Sequence, residues 1–187
     1  MAVAESISCT LVTGAASSGK SRWAEALASR TGLQVCYFAT GPRLPDDPDW
    51  MARLERHRRR RPSTWLTHEV GAELCSALRS CSSGQVALVD SLGTWVAASL
   101  EANEQCWHQS VHELVSAVQE RSVPLILVGE ECGWGVSPPT RIGGLFRERL
   151  GVLLQTITPL CDASWLVVHG RAIDLGQVGM LIPPDCN

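Results

Sequence analysis

Lys20 is the only lysine among the 16 lysine and arginine residues of the chain, and it falls in the segment Gly14, Ala15, Ala16, Ser17, Ser18, Gly19, Lys20, Ser21. Every fixed position of the pattern G-x-x-x-x-G-K-[ST] is filled. Small residues let successive backbone N–H groups converge on an anion, and the following helix N-terminus adds its own positive end. A lysine there reaches β- and γ-phosphates, and the hydroxyl of Ser21 is placed to ligate Mg²⁺. The pattern requires a strand before it and a helix after it. An apolar run, Ile7 to Thr13, precedes it, and a helix-like run, Arg22 to Ala28, follows.

Asp90 closes the apolar run Val86-Ala87-Leu88-Val89. An acidic residue at the carboxyl end of a buried strand reads as the second Mg²⁺ contact of a phosphate-loop protein. It would also suit the N-cap of a helix starting near Leu92. Between Arg53 and Arg61, six arginines fall within nine residues. Such a density repels itself unless anions lie nearby. It reads as a clamp of phosphate-matching guanidinium forks, or as a solvated basic face. His57 sits inside this cluster. A neutral imidazole among phosphate-binding arginines is a nucleophile toward phosphorus, and a surface histidine is the plainer alternative. His108 and His112, four apart on a helix, lack a third ligand and read as surface residues, while His68 and His169 stand alone. The loop Glu130 to Pro139 reads either as a substrate-binding lid or as a turn with a packed Trp134.

These residues need elements to hold them. Four further apolar runs read as buried strands: 34–39, 86–90, 124–129 and 163–169. Helical patterns cover 21–29, about 47–60, 72–80, 104–121 and 145–160. The alternation predicts an α/β fold, a mainly parallel β-sheet flanked by helices in three layers. One domain is expected over 1–187, with 171–187 as a loosely held tail. The net charge of −3 argues against a general nucleic-acid binder. No apolar stretch is long enough to span a bilayer, and the first residues lack a basic segment with an apolar core, so a cytoplasmic protein is expected. Eight cysteines without a C-x-x-C pair favour neither a disulfide framework nor zinc, and Cys132, in a glycine-rich loop, is the one to follow.

Taken together, these segments resemble the bifunctional adenosylcobinamide kinase / adenosylcobinamide-phosphate guanylyltransferase family of cobalamin biosynthesis, nearly end to end. The family's loop G-G-A-R-S-G-K-S appears as Gly14 to Ser21, with Ser17 in place of arginine. Its A-T-x segment appears as Ala39, Thr40 and Gly41. Its motif R-I-x-x-H-[RK]-x-x-R-P-x-x-W, followed by Glu, appears as Arg53 to Trp65 with His57, Arg61 and Pro62 in step, then Glu69. Val89 to Trp95, Glu130 to Pro138 and Phe146 to Gly151 match its later motifs, with Glu130 in place of asparagine and Pro45 and Pro48 added before the histidine segment.

The resemblance implies a P-loop NTPase-like fold and two reactions. One phosphorylates adenosylcobinamide with ATP or GTP. The other transfers GMP from GTP to adenosylcobinamide phosphate through a guanylylated His57. Lys20 is the second catalytic residue. Gly14 to Ser21, Ala39, Thr40, Gly41, Arg58, Arg59, Arg60, Arg61, Glu69 and Asp90 fall at nucleotide-contacting positions, with Ser21 and Asp90 toward Mg²⁺. The partners implied are the cobinamide substrates, without nucleic acid or a membrane span, in a homo-oligomer, a trimer by analogy. Two other readings fit the phosphate loop: a P-loop small-molecule kinase without guanylyl transfer, and a nucleotide-dependent binding module whose arginines contact RNA or protein. Neither needs a histidine at 57 with Pro62, Trp65 and Glu69 in register.

Overall fold

The computed structural model describes residues 8–183. Its elements run β1 (Cys9–Gly14), α1 (Lys20–Arg30), β2 (Gln34–Ala39), α2 (Pro48–Arg60), β3 (Leu66–Glu69), α3 (Leu74–Arg79), β4 (Gln85–Asp90), α4 (Leu92–Ala98), α5 (Glu104–Gln119), β5 (Leu125–Glu130), α6 (Arg141–Ile157), β6 (Ala163–Val168), β7 (Arg171–Asp174) and α7 (Leu175–Val178). The strands form one sheet in the order β3-β2-β4-β5-β1-β6-β7. Only the β6–β7 pair is antiparallel.

Successive strand residues point to opposite faces, and both faces are apolar. Val12, Val35, Tyr37, Val86, Leu88, Ile126 and Val128 pack on one side against Ala24, Leu27 and Ala28 of α1. Leu11, Phe38, Ala87, Val89, Leu125 and Leu127 pack on the other against side chains of α3, α4, α5 and α6. The result is the expected three layers. The chain leaves β1 toward β2 on one flank, and β6 lies on the other flank. The crevice beyond the carboxyl end of β1 is therefore where an open sheet of this kind takes its ligand.

Four elements lie outside the apolar runs and helical patterns. β3 is an edge strand with all four residues exposed, so it carries no apolar signal. α4 is a short helix capped by Ser91, whose Oγ accepts from Thr94 N–H, so the cap is Ser91 and not Asp90. Of the segment 171–187 expected as a loose tail, Arg171–Asp174 form β7 and Leu175–Val178 the one-turn α7, while 184–187 lie outside the described residues. His169 (φ 48°) and Gly170 (φ 75°) form the two-residue turn into β7. Positive φ at both positions matches the right-handed twist of the flanking strands.

α2 stands apart. Asp47 caps it by accepting Trp50 N–H at 2.9 Å, and Pro48 opens its first turn, yet none of its residues is buried. The seven described cysteines are free, and Cys186 lies outside the described residues. Burial pushes the Cys132 thiol up and so away from the reactive thiolate.

Candidate active site

The loop after β1 is held from both sides. A Cβ added at Gly14 would fall 2.5 Å from the carbonyl oxygen of Val167 in β6, so only glycine lets the loop approach that strand. Gly170 N–H of the β6–β7 turn donates to Ser18 O at 3.2 Å, and Glu131 N–H donates to Gly14 O at 2.9 Å. Gly19 enters α1 with φ 101°, a conformation that favours glycine. Ser17 adopts φ 60° without being glycine. Lys20 is 4% exposed, and its Nζ donates to Ala15 O at 3.3 Å.

Asp90 reaches the same crevice although β5 intervenes between β4 and β1. Tyr37 Oη–H donates to its Oδ2 at 2.7 Å, and Ser21 Oγ–H donates to its Oδ1 at 3.4 Å. His57 Nδ1 lies 3.7 Å from Oδ2, just beyond hydrogen-bond length. Burial alone would raise the Asp90 carboxyl, but His57, Tyr37 and Ser21 outweigh it and hold the group below its ordinary value. Burial first, and then the Asp90 charge, push the Tyr37 hydroxyl well above its usual value and keep it a donor.

His57 and the phosphate loop share one cleft of about 420 Å³, lined by Ser17, Gly19, Lys20, Ser21, Arg22, Arg53, Arg56, His57 and Arg60. Arg60 ties α2 to α1 through a two-point fork onto Glu25, 2.7 Å on each arm. Arg61 lies 3.5 Å over the Tyr37 ring. Guanidinium, phenol, carboxylate and imidazole thus form one chain across β2, β4 and α2.

Other candidate residues are placed differently. Arg59 turns to solvent and pairs with Glu55 at 2.8 Å, and Arg58 is not among the cleft-lining side chains. Thr40 is 1% exposed; its Oγ1 accepts Ser91 N–H at 2.9 Å and lies 2.6 Å from Ser91 O. That hydroxyl fixes the turn into α4. Ala39 lies in register between Asp90 and Glu69, and Gly41 packs under the Trp50 ring of α2. Glu69 is exposed and held by Arg43 Nε at 2.9 and 3.1 Å, which keeps its carboxyl below the usual range. Glu130 accepts from Ser91 Oγ at 2.6 Å and from Gly93 N–H at 2.9 Å, clamping the start of α4. Trp134 is 72% exposed, which overturns the reading of that loop as a turn with a packed tryptophan. His108 lies on the surface beside Glu104, as expected.

Sequence reasoning missed Tyr37 and Glu25. Tyr37 is a polar-tipped side chain in the middle of the apolar run of β2, and Glu25 is an acid on the buried face of α1. Each was visible as a misfit in an apolar pattern. The oxygens of Ser21 and Asp90 make a donor pair that suits Mg²⁺, which keeps water and phosphate ligands beside one or two protein oxygens. Among the described residues no group of three or more His, Cys, Asp and Glu side chains gathers to hold a metal by itself.

The family model for cobinamide kinase / cobinamide phosphate guanyltransferase (CobU) matches residues 10–175. The chain belongs to that family. It is 33% identical over 180 residues to the bifunctional adenosylcobalamin biosynthesis protein CobU of Escherichia coli (strain K12), covering 88% of this chain and 98% of the relative. It is 35% identical over 167 residues to the protein CobP of the same description from Pseudomonas aeruginosa, covering 88% and 95%. A solved structure from Pyrococcus horikoshii OT3, PH0250, shares the fold at a TM-score of 0.53 and 10% identity, covering 100% of this chain and 96% of that one. Family membership makes the protein an enzyme of this bifunctional transferase class, with the P-loop nucleotide-binding architecture described above. No helix among the described residues is long and apolar enough to cross a membrane.

Proposed function

We propose that this enzyme phosphorylates the aminopropanol hydroxyl of adenosylcobinamide with ATP or GTP, and then transfers GMP from GTP to the resulting phosphate through a guanylyl-His57 intermediate. The observation that carries the reading is His57 facing the phosphate loop across one cationic cleft. Asp90 beside Nδ1 favours the tautomer with its proton there and leaves the Nε2 lone pair free. Nε2 attacks the α-phosphorus, the bond from that phosphorus to the bridging oxygen of the β-phosphate breaks, and pyrophosphate departs. A cobinamide-phosphate oxygen then attacks the same phosphorus, and the N–P bond breaks to regenerate the imidazole. Splitting one displacement into two is what a histidine nucleophile contributes. Lys20, Arg53, Arg56 and Arg60 offset charge on the phosphates and on the departing pyrophosphate. Ser21 and Asp90 would hold Mg²⁺, which would supply positive charge to offset that of the phosphates.

A cytoplasmic setting, where ATP and GTP are available, and a homotrimer by family analogy belong to the same proposal; the latter is checked by sedimentation. The central test is incubation with Mg²⁺ and GTP labelled at the α-phosphate. The expected result is an acid-labile, base-stable label on the protein that His57→Ala abolishes. Full labelling of the His57→Ala variant would remove the intermediate from the mechanism.

A further inference from the structure

A second cleft, also of about 420 Å³, opens on the other flank of the phosphate loop. It meets the first at Gly19 and Arg22, which line both. Their linings are unlike. Toward α2 the walls are arginine and imidazole. On the β6 side they are Trp23, Ala26, Trp165, Val167 and Ala172. The pattern follows from local geometry. Arg22, Trp23 and Ala26 share one side of α1 by i, i+3 and i, i+4 spacing. Trp165 and Val167 alternate onto one face of β6, and Ala172 lies opposite Val167 across the antiparallel pair. Trp23 and Trp165 meet edge to face with ring centroids 5.3 Å apart. The Trp23 Nε1–H is buried with no acceptor among the described residues.

The described phosphate loop reads as the centre of one nucleotide, and a nucleotide has a polyanionic half and a flat half. The cationic cleft, rich in guanidinium groups, suits the first. The aromatic groove suits a planar ring, and its volume lies in the usual range for small-ligand sites. We infer that this groove holds the purine of the nucleotide whose γ-phosphate is transferred, with the triphosphate passing over Gly19 and its outer phosphate directed toward Asp90 and His57. The inference rests on the reading of Gly14 to Ser21 as a nucleotide-phosphate site. It adds a base subsite that the sequence motifs leave unassigned. It also separates the two reactions: γ-transfer uses a nucleotide with its base in the groove, whereas attack by His57 needs the α-phosphorus on the α2 side, and so a second orientation.

The test measures affinity by titration calorimetry for ATP, GTP and inorganic tripolyphosphate. The wild-type protein is compared with Ala26→Phe and Ala172→Phe, which fill the groove from its opposite walls. The wild-type protein is expected to bind the tighter of ATP and GTP better than tripolyphosphate. Each variant is expected to weaken that nucleotide about tenfold, the scale of losing one base–aromatic stack, while tripolyphosphate affinity is retained and reports that the loop is folded. Nucleotide affinity unchanged in both variants would overturn the groove, as would a wild-type protein that gains nothing from the nucleoside. Equal loss of both ligands in both variants would overturn it too, because the groove would then not be a separate subsite. The guanylyl-His57 label is read independently, so failure here leaves that intermediate standing, and loss of the label leaves the groove standing.

Discussion

Asp90 keeps its charge where burial alone opposes it. The hydroxyls of Tyr37 and Ser21 point at its two oxygens, and His57 stands beside it. A carboxyl held below its ordinary value stabilises the fold in its ionised form. The sign follows from linkage: that contribution is present above the unfolded value, about 3.9 for aspartate, and is lost as pH falls through the lower folded value. Asp90→Asn is isosteric but cannot carry the charge. Urea unfolding of the two proteins is expected to show the variant less stable at pH 7 by a gap that holds down to about pH 4 and closes below it. A gap that widens on acidification would mean that the fold tolerates this carboxylate rather than using it. Tyr37 adds a limit at the other end: its raised hydroxyl remains a donor through the whole neutral range.

α2 presents an unusual problem for an element that carries a nucleophile, because it buries none of its residues. Its position depends on polar ties: the Asp47 cap, the Trp50 Nε1–H donating to Pro42 O at 2.8 Å, and the Arg60 fork onto Glu25. Glu25 is 8% exposed, so the fork is anchored on a well-fixed carboxylate of α1. Glu25→Gln removes the charge and one acceptor while keeping the volume. The expected outcome is a rate of His57 guanylylation lowered about tenfold, since small misplacements of a reacting group cost that much or more. Tripolyphosphate affinity at the loop should stay near wild type. Equal rates would show that α2 is positioned by something other than this tie. The ties also explain what was legible in advance. The phosphate loop, His57 and Asp90 are chemical misfits in their surroundings and can be read from residue types alone. Glu25 and Tyr37 act through partners 35 and 53 residues away, and that pairing exists only after folding. Arg59 fails for the converse reason: helical spacing sends it to Glu55 and solvent while its neighbour Arg60 faces the cleft.

Across the whole molecule, the central strands β1, β2, β4, β5 and β6 follow from apolar runs, because a sheet covered on both faces leaves that trace. Edge elements leave none. β3 is exposed throughout, and β7 alternates exposed and half-buried residues over four positions. β7 nonetheless supports function through the sheet. It pairs with β6, whose Val167 carbonyl abuts Gly14, and the turn between them donates Gly170 N–H to Ser18 O. Residues 169–178 are therefore a wall of the phosphate loop. Two truncations distinguish a wall from a tail. A chain ending at residue 178 is expected to melt within about 2 °C of the full-length protein and to bind tripolyphosphate as well. A chain ending at residue 168 loses a strand, its turn and the contact to Ser18. Its melting temperature is expected to fall by at least about 5 °C, at ~2–4 °C per kcal/mol for a domain of this size, with a matching loss of tripolyphosphate affinity. Should the shorter chain melt and bind like the longer one, the support of the loop would have to come from α1, β5 and β6 without the turn into β7.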